Sequence, residues 1–426
     1  MKNPAFIALL LVAQMSAQAQ FTYTTNNGAI TVTGYSGGAV ATIPSFVSSI
    51  GDSAFKYNKK LNAITIPSNV KDIGPYAFFW CINMTNAVLS NGLLNIGQSA
   101  FGGCKLHTMT VPDSVTNMGN YVFEYCSSLT KATLSKSFPR LVYWEFYACT
   151  SLASFAVPPN ITSISNEAFS GCTALTNVTL PNGLLSIALG AFSGCTNLPT
   201  IGIPSSVTNL GIVIFANDFA LTAIQVDANN PAFSSLDGVL FNKDQTILLA
   251  YPNGKAGSYT IPSGVTTIAI GALEYSPGLT SLTIPASVTV ILDYAIAECH
   301  NLTGAYFKGN APYAGDVFSQ DLKATAYYIP GTAGWGSTYG SIPTAKWILP
   351  SLSILTESPS FGVRSNTFGF TIAGVSNSTV VVETATNLAN PQWRPMRTNQ
   401  LNSSTWSLSD TNLDRDPHCF YRARTQ

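Results

Sequence analysis

The pattern Ile-Pro-x-x-Val-x-x-Ile-Gly-x-x-Ala-Phe-x-x-Cys-x-x-Leu returns along this chain almost every 23 residues, and that period excludes most folds. Copies open at Ile43, Ile66, Leu89, Val111, Leu134, Val157, Leu180, Ile203, Ile261 and Ile284. The intervals between them are 23, 23, 22, 23, 23, 23, 23, 58 and 23 residues. A fixed period in this range marks a solenoid, because one repeat cannot bury its apolar face alone and must stack on its neighbours. Such a stack offers long outer walls, better suited to holding a partner than to enclosing a reaction.

One copy, Leu61 to Cys81, shows the unit. Leu61, Ile64 and Ile66 have the L-x-x-L-x-L spacing that places Ala63 to Ile66 on a short strand. Pro67 ends that strand, since it has no N–H to give to a ladder. Val70 and Ile73 turn inward again, Gly74 is expected to relax the backbone, and Ala77-Phe78 packs under the next coil. Stacked about 4.8 Å apart, ten or so coils make a rod of about 50 Å whose strands form one parallel sheet. Phe55, Phe78, Phe101, Phe123, Phe146, Phe169, Phe192 and Phe215 share one position. A core-filling spine explains them better than an aromatic binding row, because Leu273 and Ile296 stand there in the last two copies.

The Ile-Pro, Ala-Phe and Cys-x-x-Leu marks, in register from Phe21 to Trp347, resemble those of BspA-type leucine-rich repeat proteins of bacterial surfaces. The resemblance implies a leucine-rich repeat solenoid of short parallel β-strands with little helix. It also implies an adhesion or interaction protein, with no catalytic residues to carry over. The insert at 226–260 contains Asn230-Pro231, Ser234 to Phe241 and Leu248 to Tyr251, and looks like the family's hairpin-bearing insertion. The stretch 306–347, with Tyr327-Tyr328-Ile329-Pro330 and Gly334-Trp335, looks like its closing cap. The solenoid is therefore expected over 20–347.

Cys81, Cys104, Cys126, Cys149, Cys172, Cys195 and Cys299 share another repeat position. Eight cysteines in an exported chain invite a disulfide reading. Asn58, Asp218 and Ser276 fill the same position in other copies, which argues for a small polar group bonding a turn. Stacked side chains also run parallel, whereas a disulfide needs Cβ atoms that converge to about 3.8 Å. A structural ladder of free, buried thiols is the expectation. A metal site is less favoured again, since no Cys-x-x-Cys and no Cys/His pair at ligand spacing occurs.

Charge narrows the function classes. Charged residues make up 9% of the chain, 20 Lys+Arg against 20 Asp+Glu, so no long-range field steers a polyanion and no nucleic-acid partner is expected. Gly34-Tyr35-Ser36-Gly37-Gly38 matches a nucleophile elbow formally, but it joins two short strands and reads better as a glycine turn. His107, His300 and His418 fall in no triad or metal arrangement, and no carboxylate pair recurs at a fixed offset. Neither an enzyme nor a cofactor is expected.

Lys2, the apolar run Ala5 to Ala13 and Ala17-Gln18-Ala19 read as a signal peptide over 1–19. No segment has the roughly 20 apolar residues of a membrane span. Secretion is expected, with the protein released or retained at the bacterial surface.

Two surfaces of the solenoid are candidates for contact. The outward strand residues should be Ala63/Thr65, Asn86/Val88, Thr108/Thr110, Lys131/Thr133, Ser154/Ala156, Asn177/Thr179, Ser281/Thr283 and Gly304/Tyr306. Of these, Thr65, Thr110, Thr133 and Thr179 could line a hydroxyl-bearing binding face, although Thr suits any half-exposed strand. Off the Phe spine, Phe79-Trp80, Tyr121, Tyr125, Tyr143-Trp144 and Tyr147 crowd the coils between Ile66 and Cys149. Aromatic side chains dominate interface energetics, so these are the second candidate patch, with Trp80, Tyr125 and Trp144 the first to mutate.

After Trp347 the repeat stops. A Pro/Ser-rich linker is expected over 348–360, then a small antiparallel β-sandwich over 361–426. Its strands read as Thr367 to Ala373, Thr379 to Thr386, Gln392 to Thr398, Thr405 to Leu408 and Cys419 to Arg424. The segment Val382 to Leu388 with Trp393, and Phe420 to Arg424, resemble C-terminal sandwich modules of other secreted bacterial proteins, which implies no defined activity. Asp414, Asp416 and His418 read as a solvated turn rather than a cation site. The whole chain reads as a secreted or cell-surface non-catalytic scaffold that binds an extracellular protein or polysaccharide. The alternatives are a polysaccharide-binding accessory protein and a structural envelope spacer.

Overall fold

The structure, a computed structural model, describes residues 20–347, 352–355, 362–364, 367–374, 378–388, 391–401, 405–410 and 419–425. The expected signal peptide and the turn holding Asp414, Asp416 and His418 lie outside the described residues. The chain divides into two compact units, Met1–Ala345 and Lys346–Gln426.

The first unit is a β-solenoid. Each regular coil carries a first strand of three or four residues, such as Ala63–Ile66, with Ile64 and Ile66 fully buried. Neighbouring coils pair in parallel with a one-repeat offset: Ala63 faces Asn86, Ile64 faces Ala87, Thr65 faces Val88 and Ile66 faces Leu89. A second row of two-residue strands lies after each turn, as with Asp72–Ile73 paired to Asn95–Ile96. The sequence did not show this row, because two residues are too few to display an alternation.

The first strands do not make one continuous sheet. Val40–Thr42, Ala63–Ile66 and Asn86–Leu89 form one sheet, and two-stranded pieces follow up to the insert. Strands this short contribute only a few ladder hydrogen bonds each, so a small rotation between coils interrupts the regular pairing. The first break, after Leu89, falls at the coil that is one residue short.

Inside, the eight phenylalanines stack with ring centroids 4.8 to 6.1 Å apart and planes within 2° to 26° of parallel. Both ends of the stack are closed by rings. A hairpin of Phe21–Asn26 and Ala29–Tyr35 turns through Asn27-Gly28, both left-handed as a two-residue hairpin turn requires. It lays Tyr35 5.3 Å from Phe55. At the other end Phe318 resumes the spine, and Tyr339, on the hairpin of Thr338–Tyr339 and Ile342–Lys346, packs 6.3 Å from it and 5.1 Å from Phe307.

The insert is a hairpin of Phe233–Leu236 and Val239–Asn242 across Asp237-Gly238, followed by Ile247–Ala250. That third strand pairs in parallel with Thr267–Ile268, so the insert supplies a second-row strand of its own and hands the stack on.

Gly74 plays a different part from the one expected. Its φ is not left-handed, so it does not relax the backbone. A Cβ there would instead lie 2.7 Å from the Asp52 nitrogen and 2.8 Å from the Gly51 carbonyl carbon. Gly97, Gly119 and Gly211 meet the preceding coil's backbone in the same way. The glycines let coils approach.

The second unit is a small antiparallel β domain of two sheets. One is centred on Thr367–Ala373 and the other on Thr379–Ala385. Phe370 and Ile372 from the first share a core with Val380 and Val382 from the second. Ser353–Leu355 falls within the stretch expected to be a linker, yet it pairs with Thr371–Ala373 as a strand. Three residues flanked by Pro and Ser carry too little pattern to reveal it.

Gly74→Ala is expected to lower the unfolding free energy by about 1–3 kcal/mol through forced overpacking. Gly202→Ala, where an added Cβ meets nothing within 4 Å, should change it by less than about 1 kcal/mol. Urea unfolding of both variants is the measurement, and equal midpoints would show that the coils have room to spare.

Candidate binding surface

Each coil turns back through two residues of left-handed backbone, one two places before the spine position and one two places after it. Around Phe78 these are Tyr76 (φ 56°) and Trp80 (φ 55°). The conformation points their N–H groups along the stack: Tyr76 donates to the Gln98 carbonyl at 2.8 Å and Trp80 to that of Gly102 at 2.7 Å. Gly103, Gly171, Gly190, Gly194 and Gly271 fill such positions without strain. Tyr57, Tyr76, Trp80, Tyr121, Tyr125, Trp144, Tyr275 and Tyr294 fill them with large rings at φ between 54° and 65°. A left-handed L-residue costs roughly 1–2 kcal/mol, so these coils carry strain that the glycine coils avoid.

Six of those rings join three others into one connected belt. Tyr57 and Tyr76 pack edge-on against Phe79, at 6.0 and 5.5 Å, and Phe79 meets Trp80 at 6.2 Å. Trp80 reaches Tyr125 at 6.3 Å, and Tyr125 meets Tyr147 at 5.3 Å. Tyr147 stacks on Trp144 at 4.1 Å, which stacks on Tyr143 at 5.6 Å, and Tyr121 abuts both Tyr143 and Trp144. The belt crosses the coils of Phe55 through Phe146, about 20 Å at one strand spacing per coil. Tyr57, Trp80 and Tyr125 are 59%, 40% and 43% exposed.

Glycines set the floor of this belt. A Cβ on Gly103 would lie 2.8 Å from the Trp80 indole, and one on Gly102 would lie 3.0 Å from the Phe79 ring. Both rings therefore rest with one side against the next coil's backbone.

Trp80, Tyr121, Tyr125, Tyr143, Trp144 and Tyr147 are thus brought together. Tyr57 and Tyr76 were missed in the sequence, although their offset from the spine phenylalanine was the available signal. Thr110, Thr133 and Thr179 stand exposed on their strands and Thr65 is half-buried. Gly304, expected to face outward, is buried. The Tyr306 ring lies over it, where a Cβ would come within 2.7 Å.

The cysteines occupy the opposite environment. All seven at the repeat position are free and buried, and each thiol donates to the carbonyl of a spine residue one coil back, at 3.0 to 3.3 Å. Burial pushes the thiols of Cys81, Cys126 and Cys172 up to about 12, far from the thiolate needed for reactivity. Asn58, Asp218, Asn253, Ser276 and Asp321 continue the ladder. Asp218 accepts from the Cys195 N–H at 2.7 Å, and Asn253 donates to the Ser276 hydroxyl at 3.1 Å. Burial raises the Asp218 carboxyl well above its usual range and the Asp321 carboxyl to about 7.

Other reactive groups stand apart. His107 is exposed, and His300 pairs 3.2 Å from Glu298 at the surface of a different coil. The Ser36 hydroxyl donates to the Gln20 carbonyl at 3.3 Å, and a strand rather than a helix follows it. Among the described residues, no three His, Cys, Asp or Glu side chains are grouped to hold a metal ion. An apolar cavity of about 110 Å³ at the insert seam, lined by Phe215, Leu240 and Tyr251, is below the roughly 300 Å³ of a small-molecule site.

Glu145 is the anomaly beneath the belt. It occupies the position of Ala77, Ala100 and Ala168, is fully buried, and accepts from the Val142 N–H at 3.1 Å. Its Oε1 and the neighbouring Trp144 Nε1 are buried without partners. Burial pushes its carboxyl up to about 8.

A family model described as BspA type leucine rich repeat region matches six copies, over residues 48–175, 141–243 and 250–332. Among solved structures, the chain is similar to a leucine rich cell surface protein from Faecalibacterium prausnitzii A2-165, with 26% identity and a TM-score of 0.51 over 72% of this chain and 80% of that one. It is also similar to a leucine-rich repeat protein from Bacteroides ovatus ATCC 8483, with 23% identity and a TM-score of 0.48 over 72% and 93%. No curated protein matches.

Two outcomes follow. Denatured without reductant, the protein should titrate as eight thiols; native, at most half-buried Cys419 should react. Finding no thiols after denaturation would overturn the ladder of free sulfhydryls. Glu145 holds its proton more tightly folded than unfolded, so the stability tied to it is intact below about pH 4.5 and lost as pH rises to about 8. Glu145→Gln should therefore gain stability relative to wild type between pH 5 and pH 8.5 in urea unfolding. A constant difference across that range would refute the burial argument.

Proposed function

This chain belongs to the BspA-type leucine-rich repeat family, and we propose that it is a non-catalytic binding scaffold exported to the bacterial surface, with the aromatic belt as its contact face. One observation carries this reading: rings stand exposed on left-handed backbone where other coils use glycine or residues such as Ala148, Glu167 and Asn217. Stacking does not need rings there, so their exposure and contiguity point to a role outside the fold. Trp and Tyr concentrate binding energy at interfaces, and eight of them with Phe79 in one connected surface is a contact patch rather than scattered exposure.

Export is supported by the expected signal peptide and by the similar solved structure, which is of a leucine rich cell surface protein. We read 20–347 as the solenoid and the sheets after it as a β-sandwich that ends or retains the protein. The Thr-rich strand face is the weaker candidate for contact, since Thr at these positions is explained by strand preference alone. A spacer role needs no exposed aromatic surface at all.

The test compares Trp80→Gly/Tyr125→Gly with Thr110→Ala/Thr133→Ala/Thr179→Ala, using capture on a glycan array and on immobilised extracellular proteins. Two lost anchors of about 2 kcal/mol each predict capture weakened well beyond tenfold in the first variant and unchanged in the second. The reverse pattern would move the site to the strands. Wild type that captures nothing would favour the spacer.

A further inference from the structure

Resting on the belt as the contact face, we infer that its ligand is an uncharged polysaccharide chain lying along the solenoid axis. Charge argues first. The ammonium of Lys56 sits 4.9 to 5.5 Å from the ring centres of Tyr57, Tyr76 and Phe79, so this cation at the belt is already engaged. Glu124, beneath Gly102, is buried and accepts from the Ser99 hydroxyl at 2.8 Å. Arg140 is the sole arginine before residue 346. Protein-binding hot spots combine Trp and Tyr with Arg, and anionic polymers need arrays of cations. The solenoid carries a single arginine, and the belt's cation contacts show one engaged ammonium rather than an array.

Shape argues in the same direction. The rings are linked from coil to coil along the direction of stacking. A long molecule with a repeating contact face matches such a surface. Trp80 has one side against Gly103 and remains 40% exposed, so part of its face is open to solvent. A sugar ring complements that face: its C–H groups carry slight positive charge, and the aromatic face carries the negative lobe of its quadrupole. The sugar hydroxyls remain at the rim, within reach of water and the tyrosine hydroxyls. Contacts repeated along one chain add as linked sites, so affinity should rise steeply with polymer length.

The experiment is native electrophoresis of the full chain through gels containing hydroxyethyl cellulose, arabinoxylan or mannan, with polygalacturonate as the anionic comparison. At least one neutral polymer is expected to retard the wild type. Its affinity in solution should hold within twofold from 0.05 to 0.5 M NaCl and exceed that of its short oligomers by more than tenfold. Trp80→Gly/Tyr125→Gly should abolish the retardation. Tyr57→Gly, at a more exposed left-handed position, gives the same readout should the pair fail to fold. Retardation by polygalacturonate alone, lost with salt, overturns the inference. So does a wild type that no neutral polymer retards. In that case the belt reading still stands if a protein partner is captured and lost in the variant. Retardation that survives both variants overturns the glycan site and the belt together.

Discussion

The stack depends on backbone N–H groups that leave one coil and reach the carbonyls of the next. On the turn side, Tyr76, Phe78 and Trp80 all donate to the following coil, at 2.7 to 2.8 Å. A chain reversing direction within a few residues cannot aim three such groups the same way on right-handed backbone alone. Interleaved left-handed residues rotate the peptide planes into line. From this follow the close approach that leaves no space for a Cβ at Gly74 and the parallel stacking of the phenylalanines. It also leaves two outward side-chain positions per coil with no packing duty.

The polar ladder solves a second problem of the same geometry. A turn packed against the spine leaves carbonyls such as that of Phe55 in an apolar interior, where an unmet acceptor is costly. A thiol answers with a weak donor on a small, nearly apolar group, and does so within the regular runs. Where the stack begins, is interrupted or ends, stronger groups take over: Asn58 near the first hairpin, Asp218, Asn253 and Ser276 around the insert, Asp321 near the last. Irregular neighbours expose extra N–H groups, and an amide or carboxyl oxygen can accept them where sulfur does so poorly. The raised carboxyl of Asp218, which accepts from the Cys195 N–H, reflects that trade.

Much of this was legible in the period. The first strands, the spine and the shared cysteine position all recur at fixed offsets, so the repeats corroborate one another, and the insert stands out as the one long break in the period. What escaped was either too short or three-dimensional. Asp72–Ile73 and Ser353–Leu355 are briefer than any periodicity can register. Gly74 could be flagged as special, but whether it serves a turn or a close approach depends on where Asp52 lies. Seven of the belt's nine rings were visible as a local crowding of aromatics. Tyr57 and Tyr76 were not, because their membership follows from backbone handedness and not from density.

Repetition makes the belt interpretable, since the solenoid contains its own controls. Coils from Glu167 to Asn217 build the same turns with Glu167, Gly171, Gly190, Gly194, Val213 and Asn217, and their spine stacks as well as any other. The architecture is therefore uniform while the surface is not. A ring that were merely tolerated would be scattered at random over the two left-handed rows. Six of the eight rings on these rows instead crowd into neighbouring coils and join one connected belt, with glycines beneath at Gly102 and Gly103 to seat the indole and phenyl faces. Exposure, contiguity and a cleared floor coincide over one stretch, and packing alone accounts for none of the three.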